Sequence, residues 1–379
     1  MKKSQLVLLF TFLSITLFSQ TYEIGHKQIY FYDPDRSDRE IQTEVYYPTD
    51  VAGDDVAMAA GEFPVLVFGH GFVMAWSSYS NFWNEFVPKG YIMVFPRTEG
   101  GMSPSHESFG LDLAFLASKM QEENLNSGSH FFGKVSDKTA VMGHSMGGGS
   151  SFIAADANPN ITTMVTFAAA ETTPSAITAA ASITMPAIVF SGSLDAIAPA
   201  GENQTPMYNA LASSCKSFIS VTGCNHCYFA DYNFNCSLFD ASATFDREEI
   251  HDVLFDFINI WFDYTLRDDN EAINEFNDSL QLSGRITYEQ SCDLTQISKV
   301  KPLKATAYPN PVEDILSIEI ENPKGLSVLK IYNLTGEIVE SVSFAGDRYE
   351  FPTTKFGEGI YLIQISNSNR FFTYKIIKQ

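Results

Sequence analysis

Gly143-His144-Ser145-Met146-Gly147 follows directly on the apolar run Ala140-Val141-Met142 and sets a serine between two glycines. An apolar strand that ends this way and runs on into a helix mounts the serine on a sharp strand-to-helix turn. Such a turn strains the serine backbone and crowds the positions two residues to either side, which is why glycine suits 143 and 147. Gly148 to Ala157, with Phe152, Ile153, Ala154 and Ala155, reads as the helix. Its first N–H groups point at the serine and favour an anion there.

Outward from this turn the chain alternates apolar runs with helical stretches. Ile29 to Tyr32 and Glu44 to Tyr47 read as early paired strands, and Asp50 to Glu62 as a surface loop. Val65 to Phe68, Tyr91 to Phe95, Thr139 to Met142, Ile161 to Phe167, Ala187 to Phe190 and Phe218 to Val221 are further strands. Continuous apolar runs of this length suit strands buried on both faces. Ser78 to Lys89, Ser108 to Gln121 and Glu248 to Thr265 read as helices, the last closing the domain. The alternation predicts an α/β fold, a mostly parallel sheet with helices on both faces and a ligand site at the carboxyl ends of its strands.

After Cys292 the texture changes. Residues 298–305 hold three lysines and a proline and are expected to be a linker. Beyond it, Leu316, Ile318 and Ile320, then Leu329 and Ile331, Ile360 and Leu362, Tyr374 and Ile376 alternate with period two, which predicts a small all-β sandwich. At the other end, Lys2 and Lys3 precede an apolar stretch from Leu6 to Phe18, expected to be a signal peptide covering 1–20. The domain reading is 1–20 signal peptide, 21–297 catalytic domain, 298–305 linker and 306–379 C-terminal domain.

The formal net charge of −21 argues against nucleic acid and anionic membrane surfaces as partners. No later run is long and apolar enough to predict a membrane span, and a monomer is expected. In an exported chain the five cysteines, 215, 224, 227, 236 and 292, are expected to form disulfides, with one left over. Cys227 to Cys236 is the preferred bond, pinning the loop that carries His226. Cys224, His226, Cys227 and Cys236 can be drawn as a zinc site, but their spacing is irregular and the compartment oxidising, so neither metal nor cofactor is expected.

A serine hydroxyl needs an imidazole to take its proton and a carboxylate to orient that imidazole. Of seven histidines, His144 is next to Ser145 and cannot curl back to it, His251 lies in an amphipathic helix, and His26 precedes the first strand. His226 follows the last clear strand in Gly223-Cys224-Asn225-His226 and is the expected base. Asp195 follows the strand Ala187 to Phe190 and is the expected acid, with Asp231 and Asp240 as rivals. The oxyanion needs two N–H donors, assigned to Met146 and to Phe72 of Gly69-His70-Gly71-Phe72. His70 is read as a scaffold residue, Phe72 and Trp76 as cleft residues, and Trp83 as core.

Residues from about 40 to 265 resemble the α/β-hydrolase superfamily, and within it bacterial cutinases, polyester hydrolases and chlorophyllase-like esterases. The resemblance rests on His70-Gly71-Phe72, Gly143 to Gly149, Asp195-Ala196-Ile197-Ala198-Pro199 with Pro206-Met207-Tyr208, and Lys216-Ser217-Phe218 leading to Gly223 and His226. It implies a serine carboxylesterase with an α/β-hydrolase fold, acting on short or medium acyl esters and extending to polyesters. A peptidase or amidase on the same triad, or a silent binding protein, are the alternatives. The family's usual tryptophan is missing, since Phe167 is followed by Ala168-Ala169-Ala170-Glu171. The tail, through Tyr308-Pro309-Asn310-Pro311-Val312, Leu329 to Gly336 and Gly357 to Leu362 with the basic ending Lys375 to Lys378, resembles the sorting domain of type IX secretion substrates. That implies passage through the type IX secretion machinery to the cell surface or beyond.

Overall fold

The computed structural model describes residues 21–292 and 301–379, apart from 322, 324–325, 334–337 and 368–369. The expected signal peptide and residues 298–300 of the expected linker lie outside the described residues. The chain divides after residue 293 into two compact units.

In the first unit the strands are β1 (Glu23–Asp33), β2 (Arg39–Thr49), β3 (Gly53–Asp54), β4 (Phe63–Gly69), β5 (Ile92–Pro96), β6 (Val135–His144), β7 (Thr163–Phe167), β8 (Ala187–Gly192), β9 (Cys215–Val221) and β10 (Ile286–Cys292). Its helices are α1 (Ser80–Phe86), α2 (His106–Leu125), α3 (Met146–Ala157), α4 (Ala176–Ala180), α5 (Gln204–Ala210), α6 (Phe234–Ser237), α7 (Arg247–Leu266) and α8 (Ala272–Leu282). The ten strands form one sheet in the order β10-β9-β8-β7-β6-β4-β5-β2-β1-β3. From β9 to β5 every neighbouring pair is parallel. The outer pairs β1–β2, β2–β5 and β9–β10 are antiparallel.

Every residue of β4 is buried, as its unbroken apolar sequence requires. Side chains alternate across a strand, so Leu66 and Phe68 join the core formed with α1, α7 and α8, while Val65 and Val67 join the one formed with α2, α3, α4 and α5. The sheet is therefore covered on both faces, as its sequence predicts. The domain does not close at α7: α8 and β10 follow, and β10 pairs along β9 so that Cys292 lies opposite Cys215, to which it is disulfide-bonded.

The second unit comprises β11 (Lys301–Pro302), β12 (Ala305–Tyr308), β13 (Ile315–Ile320), β14 (Leu326–Tyr332), β15 (Ile338–Ala345), β16 (Arg348–Pro352), β17 (Gly359–Asn367) and β18 (Arg370–Lys378). They form two sheets, β11-β18-β17-β14-β15 and β12-β13-β16. Leu316, Ile318, Leu329, Ile331, Ile363, Ile365 and Ile376 meet in its core. On β17 the inward residues are Ile363 and Ile365, whereas Ile360 and Leu362 are exposed. Among the described residues no helix is long and apolar enough to cross a membrane.

Candidate active site

The chain order reverses between β4 and β6, and the two lie side by side with Gly69 opposite Gly143. The loop after β4 and the turn after β6 thus leave the sheet together, at the switch point where open α/β sheets bind ligands. Ser145 sits between β6 and α3 with φ 56° and ψ −120°, a conformation that costs about 1–3 kcal/mol and must be held from outside. Its N–H donates to the Phe167 carbonyl, and its own carbonyl accepts from Gly149 and Ala170, each at 3.0 Å.

The flanking glycines are required for a different reason from crowding against the serine. A Cβ on Gly143 would stand 2.3 Å from the Gly147 carbonyl oxygen, and one on Gly147 would stand 2.1 Å from that of Gly69. Helix α3, which begins at Met146, is pressed against the end of β4, with Gly147 against the main chain of Gly69 and His70. The unpaired N–H groups of the first helical turn lie at this point.

Asp195 and His226 come from the loops after β8 and β9, whose ends are in register at Gly192 and Val221. The Leu194 N–H donates to the Cys224 carbonyl at 2.9 Å and ties the two loops together. His226 Nδ1 lies 2.8 Å from Asp195 Oδ2, and both side chains are almost wholly buried. The other oxygen, Oδ1, accepts from the N–H groups of Ile197 at 2.9 Å and Ala198 at 2.7 Å, so the carboxylate is fixed against rotation.

Ser145 and His226 line one cavity of about 440 Å³ together with Phe72, Val73, Met74, Met102, Ile197, Asn233, Cys236 and Phe239. Four of the expected residues, Ser145, His226, Asp195 and Phe72, are therefore brought to one place. Trp76 is not. It sits on the turn Trp76–Tyr79 with its indole N–H donating to Tyr46 Oη at 3.2 Å and the Arg97 guanidinium 4.1 Å above its ring. These partners turn it toward β2 and β5 and away from the cavity, which corrects the expectation that it lines the cleft.

The rival acids are occupied elsewhere. Asp231 accepts from Ser80 Oγ at 2.5 Å and from the Asn81 N–H at 3.3 Å. Asp240 accepts from the N–H of Cys227 at 2.9 Å and of Ala196 at 3.4 Å, the residues next to His226 and Asp195. Burial raises its pKa. His70 acts as scaffold: its ring nitrogens lie 2.9 Å from the carbonyls of Gly71 and Thr98, and burial lowers its pKa. Cys227 and Cys236 are bonded to one another, so they cannot serve zinc, and Cys224 is free and buried. Burial, reinforced by the charges of Asp195 and Asp240, pushes the Cys224 thiol well up and keeps it unreactive.

Asn233, Cys236 and Phe239 were not legible as site residues. Their signal was the nine-residue spacing of Cys227 and Cys236, which folds the segment after His226 back over the cavity. Aromatic walls come from Phe72 and Phe239, whereas Ala168 to Ala170 bring no ring.

The ten-stranded sheet with its strained serine turn between β6 and α3 is that of the α/β-hydrolases. Residues 42–244, more than half of the chain, match the PET hydrolase-like family model, and residues 306–379 match a secretion system C-terminal sorting domain. The chain belongs to the PET hydrolase-like family. Cutinase 1 of Thermobifida cellulosilytica is 37% identical over 93 residues, 24% of this chain and 34% of the relative. The cutinase of Thermobifida fusca (strain YX) is 37% identical over 93 residues, 24% of this chain and 29% of the relative. Cutinase est1 of Thermobifida alba is 34% identical over 91 residues, 24% and 29% of the two chains. The matched stretch thus spans about a third of the length of these curated relatives. With its sorting domain, the chain is a secreted or cell-surface protein.

Proposed function

We propose that this protein is a serine carboxylester hydrolase working through an acyl-enzyme. Ser145 Oγ attacks the ester carbonyl carbon while His226 takes its proton, and the Asp195 carboxylate holds the imidazolium that forms. The N–H groups of Phe72 and Met146 bind the oxyanion. The tetrahedral adduct collapses, His226 returns the proton to the leaving alkoxide, and water then enters by the same route in reverse to release the acid. No metal or cofactor takes part.

The observation that carries this reading is the buried His226–Asp195 pair at 2.8 Å, whose imidazole lines one cavity with a serine held at φ 56°. The cavity's Phe, Val, Met and Ile walls suit short or medium acyl esters, and its exposed rim at Phe72, Met102 and Phe239 suits an extended polyester chain. In the domain arrangement we favour, 1–20 is a signal peptide, 21–297 the catalytic domain, 298–305 a linker, and 306–379 engages the secretion machinery.

The test is labelling with a fluorophosphonate probe alongside ester turnover. Wild type should be labelled and Ser145→Ala should not, with turnover falling by about 10⁴-fold or more. Equal labelling of both proteins would remove the nucleophile. Matched ester and amide substrates separate an esterase from an amidase on the same residues.

A further inference from the structure

Gly71 precedes the proposed oxyanion donor Phe72, His144 precedes the nucleophile, and His226 is the base. One buried pair of side chains joins all three. Tyr79 is fully buried among Phe68, Phe82 and other apolar side chains, yet its hydroxyl lies 2.8 Å from the Gly71 N–H and 3.0 Å from His144 Nδ1. On the far side of the imidazole, His144 Nε2 lies 2.9 Å from the main-chain carbonyl of His226.

The directions of these bonds are forced. The His226 carbonyl only accepts, so the proton of His144 sits on Nε2. In the neutral ring Nδ1 then accepts, and the Tyr79 O–H is the donor that faces it, its other acceptor, Met74 Sδ at 3.4 Å, being the weaker one, while the Tyr79 oxygen accepts from the Gly71 N–H, which only donates. The arrangement needs a neutral imidazole. Complete burial, and after it the neighbouring His226, holds the His144 pKa well below its usual value. A phenylalanine at 79 would fill the same space, but a hydroxyl is retained in an apolar cluster without loss only if its bonds are made. Gly71 itself has little room for a side chain: a Cβ there would meet Met74 sulfur at 2.9 Å and the Tyr79 oxygen at 3.1 Å.

We propose that Tyr79 and His144 are positioning residues, a neutral hydrogen-bond relay that fixes the oxyanion loop, the nucleophile turn and the base loop at one mutual distance. The inference rests on the reading of Ser145, His226 and Asp195 given above. Misplacing catalytic groups by about an ångström costs on the order of 100-fold in rate, so loosening this frame should show in kcat before KM.

The experiment measures kcat per active site, counted by fluorophosphonate titration, in Tyr79→Phe, His144→Gln, His144→Asn and the double variant Tyr79→Phe/His144→Gln. Gln can keep the bond to the His226 carbonyl, and Asn the bond to Tyr79. Each single variant should lose about 10- to 100-fold in kcat per titrated site with KM within about twofold. The double variant should lose no more than the worse single, because one relay is already cut. Wild-type kcat per site in the folded single variants overturns the proposal. So does a loss explained by fewer titratable sites, and so do losses that multiply in the double variant. If Tyr79→Phe does not fold, His144→Gln and His144→Asn decide the matter alone on the same readout. Residual turnover in Ser145→Ala would instead sink the nucleophile reading itself, so the two failures are distinguishable.

Discussion

The turn that carries Ser145 and the segment from Cys227 to Phe239 line the same cavity and are held there by different means. The turn is buried, stripped of side chains at 143 and 147, and fixed by main-chain bonds to Phe167, Gly149 and Ala170. The segment exposes Tyr232, Phe234, Leu238 and Phe239. It is fastened at points: the Cys227–Cys236 bond, Asp231 on Ser80 and Asn81, and the Arg247 guanidinium donating to the carbonyls of Cys227 and Ala230. Close packing gives a single geometry at the reacting atom, whereas point fastening leaves a wall whose side chains can change without disturbing the sheet. On the mechanism proposed above, the first region supplies the nucleophile and the second shapes substrate preference.

The strongest way to break the contrast is Gly147→Val. A Cβ there meets the Gly69 carbonyl, so a loss of about 4 kcal/mol or more is expected in urea unfolding, with activity lost alongside. Near-wild-type stability would show that α3 can withdraw from β4. The double variant Cys227→Ser/Cys236→Ser should be milder. Opening a loop of this size removes about 2–3 kcal/mol of chain-entropy restraint, lowers the melting temperature and raises KM for bulky esters, with kcat per titrated site retained. An equal fall in kcat would place the segment in the chemistry.

Acid should act on the packed region. Burial lowers the pKa values of His144 and His70, so below about pH 6.5 the unfolded chain takes up protons more readily than the folded one. Stability is then lost as pH falls, by up to about 1.4 kcal/mol per pH unit for each such group, and the slope should flatten in His144→Gln. An unchanged slope would mean that His144 is protonated in the folded protein. The smallest effect belongs to the exposed wall. Phe239→Ala should raise KM for aromatic esters about two- to fivefold, roughly the burial of part of one ring, while unfolding is unchanged.

Legibility followed burial. β4, β6 and β8 carry unbroken apolar runs because both their faces are covered, so their existence was plain from composition alone. β10, Ile-Thr-Tyr-Glu-Gln-Ser-Cys, is an edge strand with one neighbour and largely exposed side chains, and it resembles any polar stretch. For the same reason the Cys215–Cys292 bond was hidden, since only β9–β10 pairing sets the two cysteines opposite one another. On β17 apolar residues stand on both faces at Ile360 to Ile363, so the period alone does not say which side meets the core. Trp76 was misplaced because a turn residue close to the loop after β4 can face either way, and Tyr46 and Arg97 decide which.

The amino-acid sequence alone determined the alternation of elements, the glycine-flanked serine and the residues that end strands on one edge of the sheet. These are local matters of periodicity and turn chemistry. Only the tertiary structure decided which aspartate meets His226, that Tyr79 reaches both Gly71 and His144, and that the segment up to Phe239 lines the cavity. Those depend on distances between groups many residues apart, which are set by the register of neighbouring strands and the packing of the helices upon them.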